Sequence, residues 1–142
     1  VTTLFRDRCP CGNSGTRPGG DPCPDYPRCH VEDVVARHVG RGQAIALAQI
    51  CAVTRLGERE IKQAVHDLRM DGVHIGSSRG AEGTAGYYMI ESADELRAFL
   101  RAYGRQAISE LRLIQRMLGK DEKWLRELEG QLALDLGEDS AA

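Results

Sequence analysis

The chain has 142 residues, 42% of them apolar and 28% charged, with a formal net charge of −2. That length supports one modest core with appendages, and the near-neutral balance excludes a global pull toward nucleic acid, so any such surface must be a local patch. No apolar run reaches the ~18 residues of a membrane span, and the opening VTTLFRDRC lacks the apolar stretch of a secretory leader, so a cytoplasmic, intracellular protein with no membrane partner is expected.

Residues 1–30 form a Cys-rich segment in which Arg6 to His30 holds all five Pro, four of the five Cys and almost no large apolar side chain. Such a segment cannot offset its ordering entropy by burial. Cys9, Cys11, Cys23 and Cys29 follow the pattern C-x-C-x11-C-x5-C, with His30 directly after. Four thiolates around one structural Zn²⁺ would supply the missing folding energy and leave no open coordination position for catalysis. His30 can replace Cys29 as the fourth ligand. Two disulfides, an iron–sulfur cluster or free thiols are the alternatives, the first requiring an oxidising compartment.

The next apolar pattern, Val31, Val34, Val35 and Val39, predicts a first helix over 31–39 that stops at Gly40 and Gly42. Gln43, Ala44 and Ile45 fit a short strand. Ala46 to Val53 reads as a second helix with Cys51 inside it as a small buried apolar residue. After the turn Thr54-Arg55-Leu56-Gly57 comes a helix from Glu58 to Met70. Its Ile61, Ala64, Val65 and Leu68 recur at i, i+3, i+4 and i+7, which makes one buried stripe. Arg59, Lys62, Gln63, His66 and Arg69 lie off that stripe. Leu56 is placed to plug the core between the two helices. Val73, Ile75 and Ser77 alternate with His74 and Gly76, and Tyr87 to Ile90 forms a return strand across the loop SSRGAEGTAG, whose cation is Arg79. Tyr87 and Tyr88 must point to opposite faces.

LAQICAVTRLGEREIKQAVHDLRMDGVHIGSS and the later GYYMI resemble the winged helix-turn-helix family, in the compact type found in bacterial regulators and phage proteins. The resemblance covers about a third of the chain. It implies that the helix Glu58 to Met70 enters a DNA major groove and that the hairpin packs beside it as a wing. Arg59, Lys62, Gln63 and His66 would then meet bases and phosphates, with Arg69 and Arg79 steadying the flank and the wing. The chain departs from the family pattern at Arg55, where the turn often has Gly; a positive φ there would cost ~1 kcal/mol or more.

Residues 91–136 read as an amphipathic helical arm. Ser92-Ala-Asp-Glu95 is a capping box, and Leu96, Phe99, Leu100, Tyr103, Ala107, Leu111, Ile114 and Leu118 form one apolar stripe. Arg97, Arg101, Arg105, Arg112 and Arg116 fall within about 100° of each other around the helix, a row able to meet phosphates or the acidic residues of a partner helix. Leu111, Ile114, Leu118, Leu125, Leu128 and Leu132 fit heptad positions. Gly119 allows either one long coil or a helical hairpin. A homodimer through this arm is expected, with packing back onto the same chain as the alternative. The tail 137–142 reads as disordered.

The expected architecture is therefore mainly α with a small β-hairpin: a Cys-rich zinc-binding segment (1–30), a winged helix-turn-helix domain (31–90) and the arm. No catalytic constellation is legible, since His30, His38, His66 and His74 have no Ser or Cys at catalytic spacing and no Gly-rich loop has phosphate-loop context. Neither an enzyme nor a small-molecule substrate is expected. The expected function is sequence-specific binding of double-stranded DNA, as a transcriptional regulator or phage-type accessory protein. A protein-interaction adaptor is the alternative, since Glu58, Glu60 and Asp67 weaken the positive field of the helix. RNA binding through Arg8, Arg17, Arg28 and Tyr26 ranks third.

Overall fold

A computed structural model describes residues 26–79 and 85–137. The chain divides into two compact units, Val1–Glu91 and Ser92–Ala142. Both are built mainly of helix, with a single two-stranded antiparallel sheet in the first among the described residues.

In the first unit, α1 spans Tyr26–Val35, α2 Leu47–Thr54 and α3 Glu58–Met70, followed by β1 (Ile75–Ser78) and β2 (Gly86–Met89). The first helix corrects the expected 31–39 at both ends. It starts at Tyr26 because Pro27 falls in the first turn, where its missing N–H costs nothing. The Tyr26 hydroxyl also lies 2.9 Å from His30 Nδ1, one turn on. At the other end the chain leaves the helix at Val35, and Val39 pairs with Met89 in a parallel bridge.

The segment 38–45 then runs along the edge of β2. Gly40 N–H donates to Met89 O and Met89 N–H to His38 O, both at 2.8 Å. Ile45 and Tyr87 exchange two backbone bonds of 2.8 and 2.9 Å. The short strand expected at 43–45 is thus an isolated bridge at Ile45, preceded by a 3-10 turn over Arg41–Gln43.

Between α2 and α3 the backbone turns through Arg55, the one non-glycine residue with positive φ (59°) among those described. Its N–H donates to Cys51 O at 2.8 Å. The Thr54 hydroxyl donates to Ile50 O at 2.7 Å and accepts from Leu56 N–H at 3.3 Å, which satisfies the buried turn. Leu56 packs against the core as expected. Gly57 is the extended N-cap of α3. At the far end Gly72, with φ +87°, closes the helix while Val73 N–H reaches back to Leu68 O at 3.0 Å.

The core gathers Val31, Val34 and Val35 of α1, Ile50 of α2, Ile61, Ala64, Val65 and Leu68 of α3, and Ile45, Ile75 and Met89. All four residues of the α3 stripe are at most 2% exposed. In the hairpin Ile75 pairs with Met89, Gly76 with Tyr88, Ser77 with Tyr87 and Ser78 with Gly86. Tyr87 lies on the core face, whereas the ring of Tyr88 covers Gly76 on the other.

The second unit is an antiparallel helical hairpin of α4 (Ala93–Met117) and α5 (Lys123–Leu136). Ser92 Oγ caps α4 by accepting from Glu95 N–H at 3.2 Å. Gly119, with φ +66°, breaks the helix, so the hairpin rather than one long coil is formed. Ile108 and Leu125 are buried, and Gly104 faces Leu132, whose Cδ1 would make an ordinary van der Waals contact of 3.6 Å with a Cβ there. Arg101 caps the end of α5, donating from Nε to Gly137 O and from its terminal nitrogen to Leu136 O, each at 3.1 Å. Arg112 pairs with Glu129 (3.2 Å) and Glu122 (3.3 Å), and Arg116 with Glu122 (2.7 Å). Three arginines of the α4 row are therefore turned toward α5 of their own chain.

Among the described residues no helix is long and apolar enough to cross a membrane.

Candidate nucleic-acid interface

The buried stripe of α3 dictates what its other side presents. With Ile61, Ala64, Val65 and Leu68 fixed inward, Arg59, Lys62, Gln63 and His66 fall on successive exposed turns. From Arg59 to His66 the helix rises about 10 Å, comparable with the ~12 Å width of a B-DNA major groove. Glu58 and Glu60 sit in the first turn, where they complement the helix dipole, and Glu58 lies 3.9 Å from Lys62 Nζ. Both partners of that pair are more than half exposed, so it is a weak tether that a phosphate can replace. Gln63 donates from Nε2 to Asp67 Oδ1 at 2.9 Å. Arg59 and Gln63 also line a shallow groove with Pro27, Arg28, Glu60 and Asp67.

The two residues expected on the flank and the wing differ in their surroundings. Arg69 is half-buried, and its Nε donates to Ile75 O at 2.8 Å, so it fastens the last turn of α3 to the first residue of β1. Arg79 is exposed just beyond β1. Burial raises the Tyr87 phenol above its usual value near 10, and the Arg69 charge partly opposes that rise. Arg28 pairs with Asp71 just past α3, which ties α1 to the helix end.

Arg55 was not among the residues expected to meet DNA. It is exposed on the turn that sets α2 against α3, in a left-handed conformation that favours Gly.

Of the expected metal ligands, Cys29 is buried in α1, 1% exposed, and His30 neighbours it with Nδ1 on Tyr26. Cys9, Cys11 and Cys23 lie outside the described residues. A closed Cys₄ site would place Cys29 in the first turns of a helix, where the dipole favours a thiolate.

Comparison with known proteins finds no matching protein family, no matching curated protein and no matching solved structure.

Proposed function

We propose that the first unit is a winged helix-turn-helix module that binds double-stranded DNA sequence-specifically, in a transcriptional regulator or a phage-type accessory protein. The observation that carries this reading is the outer face of α3. Arg59, Lys62, Gln63 and His66 are all exposed on one short helix that α1, α2 and the hairpin hold from behind. In this mechanism Gln63 exchanges its bond to Asp67 for a base edge, and Arg59 and Lys62 meet guanine edges or phosphates. Arg79 follows the phosphate backbone from the wing. Arg69 acts indirectly, by keeping the wing in register with the helix. Arg55, held at the turn, adds a further cation for phosphate. Cys9, Cys11, Cys23 and Cys29 hold a structural zinc ion that orders the segment leading into α1.

The double substitution Arg59→Ala with Lys62→Ala tests the assignment. Binding to duplex DNA falls, and the slope of log affinity against log salt becomes shallower by about two, one for each phosphate no longer neutralised. Unchanged affinity and slope sink it.

A protein-interaction adaptor is the second reading, favoured by the exposure of Val53 (58%) on α2 and Met70 (75%) at the end of α3. An apolar interface of that kind holds its affinity as salt rises, whereas a phosphate binder does not.

A further inference from the structure

The apolar stripe of α4 faces away from α5. At 100° per residue, Leu96, Phe99, Leu100, Tyr103, Ala107, Ile114, Met117 and Leu118 share one arc, while α5 packs on the adjacent flank marked by Gly104, Ile108 and Arg112. Leu100, Tyr103, Ile114, Met117 and Leu118 are 36%, 51%, 50%, 79% and 60% exposed. The ion pairs fix which side of α5 adjoins this arc. Glu122 and Glu129 lie on the flank of α5 that meets Arg112 and Arg116. Trp124 and Leu128 lie on the opposite flank, 44% and 37% exposed, so they border the α4 stripe. The hairpin thus has one side of paired charges and one mainly apolar uncovered side, on which Glu110 is the charged residue.

We infer that this apolar side is covered by the same side of a second copy of the chain, making a four-helix bundle about a twofold axis. A two-helix layer has no second layer of its own to bury its stripe against, and a bundle is the usual solution. The exposed apolar side chains offer roughly 700 Å² per chain, close to the ~800 Å² per partner of a standard stable interface. That area match is what favours a second copy as the occupant. Arg101, Arg112 and Arg116 already have acceptors on α5, so the arginine row does not call for an acidic partner, and the one charged residue within the arc, Glu110, accepts from Gln106 at 3.3 Å. The inference stands on the second unit alone and is independent of the DNA-binding proposal.

Sedimentation velocity on the full chain tests it, from about 1 to 100 μM, with no DNA present. The expected species has twice the 15.6 kDa chain mass. The emission of Trp124, the one Trp in the sequence, shifts to the red on dilution as its face is uncovered. Tyr103→Glu with Ile114→Glu raises the dissociation constant by at least about tenfold. Ser109→Glu, exposed but off the stripe, leaves it unchanged. A wild-type chain that stays monomeric at the highest concentration overturns the inference, whether or not the variants fold. So does a dimer that the double variant leaves intact while circular dichroism shows its helices retained.

Discussion

Arg55 offers a direct test of how the α2–α3 turn is built. Its φ of 59° and ψ of 21° place it in the left-handed region. An L-residue with a Cβ sits there at a cost of about 1–2 kcal/mol. Arg55→Gly removes that strain, but glycine gives back about 0.5–1 kcal/mol through the greater freedom of the unfolded chain. Because the side chain is exposed, little packing goes with it. The net expectation is a gain of about 0.5–1 kcal/mol, which in a domain of this size raises the melting temperature by about 3–6 °C. Urea unfolding followed by circular dichroism would show a higher midpoint at unchanged slope. Arg55→Ala keeps the strain and stays near wild type, and Arg55→Val falls below it because a branched Cβ suits this region least. On the proposed DNA-binding role, the same Arg55→Gly protein is expected to bind duplex DNA more weakly, for want of a cation beside α3. A glycine variant no more stable than the alanine variant would refute the strain argument, and undiminished DNA binding would remove Arg55 from the interface.

Three further outcomes follow from other parts of the molecule. Gly86→Ala should cost about 2 kcal/mol or more, since φ is +145° and a Cβ there would overlap the Ile45 carbonyl; a thermal melt unchanged from wild type would contradict the observed pairing of Ile45 with Tyr87. Spectrophotometric titration should reveal a tyrosine ionising above pH 10 that disappears in Tyr87→Phe and moves higher in Arg69→Ala. The folded state holds that proton more tightly than the unfolded chain, so the associated stability is whole below about pH 10 and lost as pH rises through the native value. Native mass spectrometry should find one zinc ion per chain, absent from Cys9→Ser and Cys23→Ser; a metal-free chain with full helical content would end the zinc proposal.

What the sequence made legible depended on how local the cause was. The bounds of α3 could be read because Gly57 and Gly72 punctuate a strong helical period, and Ile61, Ala64, Val65 and Leu68 all proved buried. The start of α1 could not, because Pro27 and Cys29 read as loop chemistry when Pro27 in fact begins a helix. Val39 fitted a helical period, yet its partner is Met89, fifty residues away, and only the fold supplies that pairing. The stripe of α4 was visible, but α5 packs on the neighbouring flank, where Leu132 faces Gly104 and carboxylates meet Arg112 and Arg116. Arg69 looked like another exposed cation because its acceptor is a backbone carbonyl, which no sequence pattern displays. The four polar residues from Arg59 to His66 needed only the helical period and stand together on the exposed face.

The central claim is that this face reads DNA. Selection of bound sequences from random duplex DNA, by electrophoretic mobility shift at two salt concentrations, tests it most directly. The account predicts enrichment of a defined motif, weaker binding at the higher salt, and disappearance of the motif when Arg59 and Lys62 are both Ala. Failure to retain any duplex at the lower salt, or retention of unselected sequences equally by the wild-type and doubly substituted proteins, would contradict it.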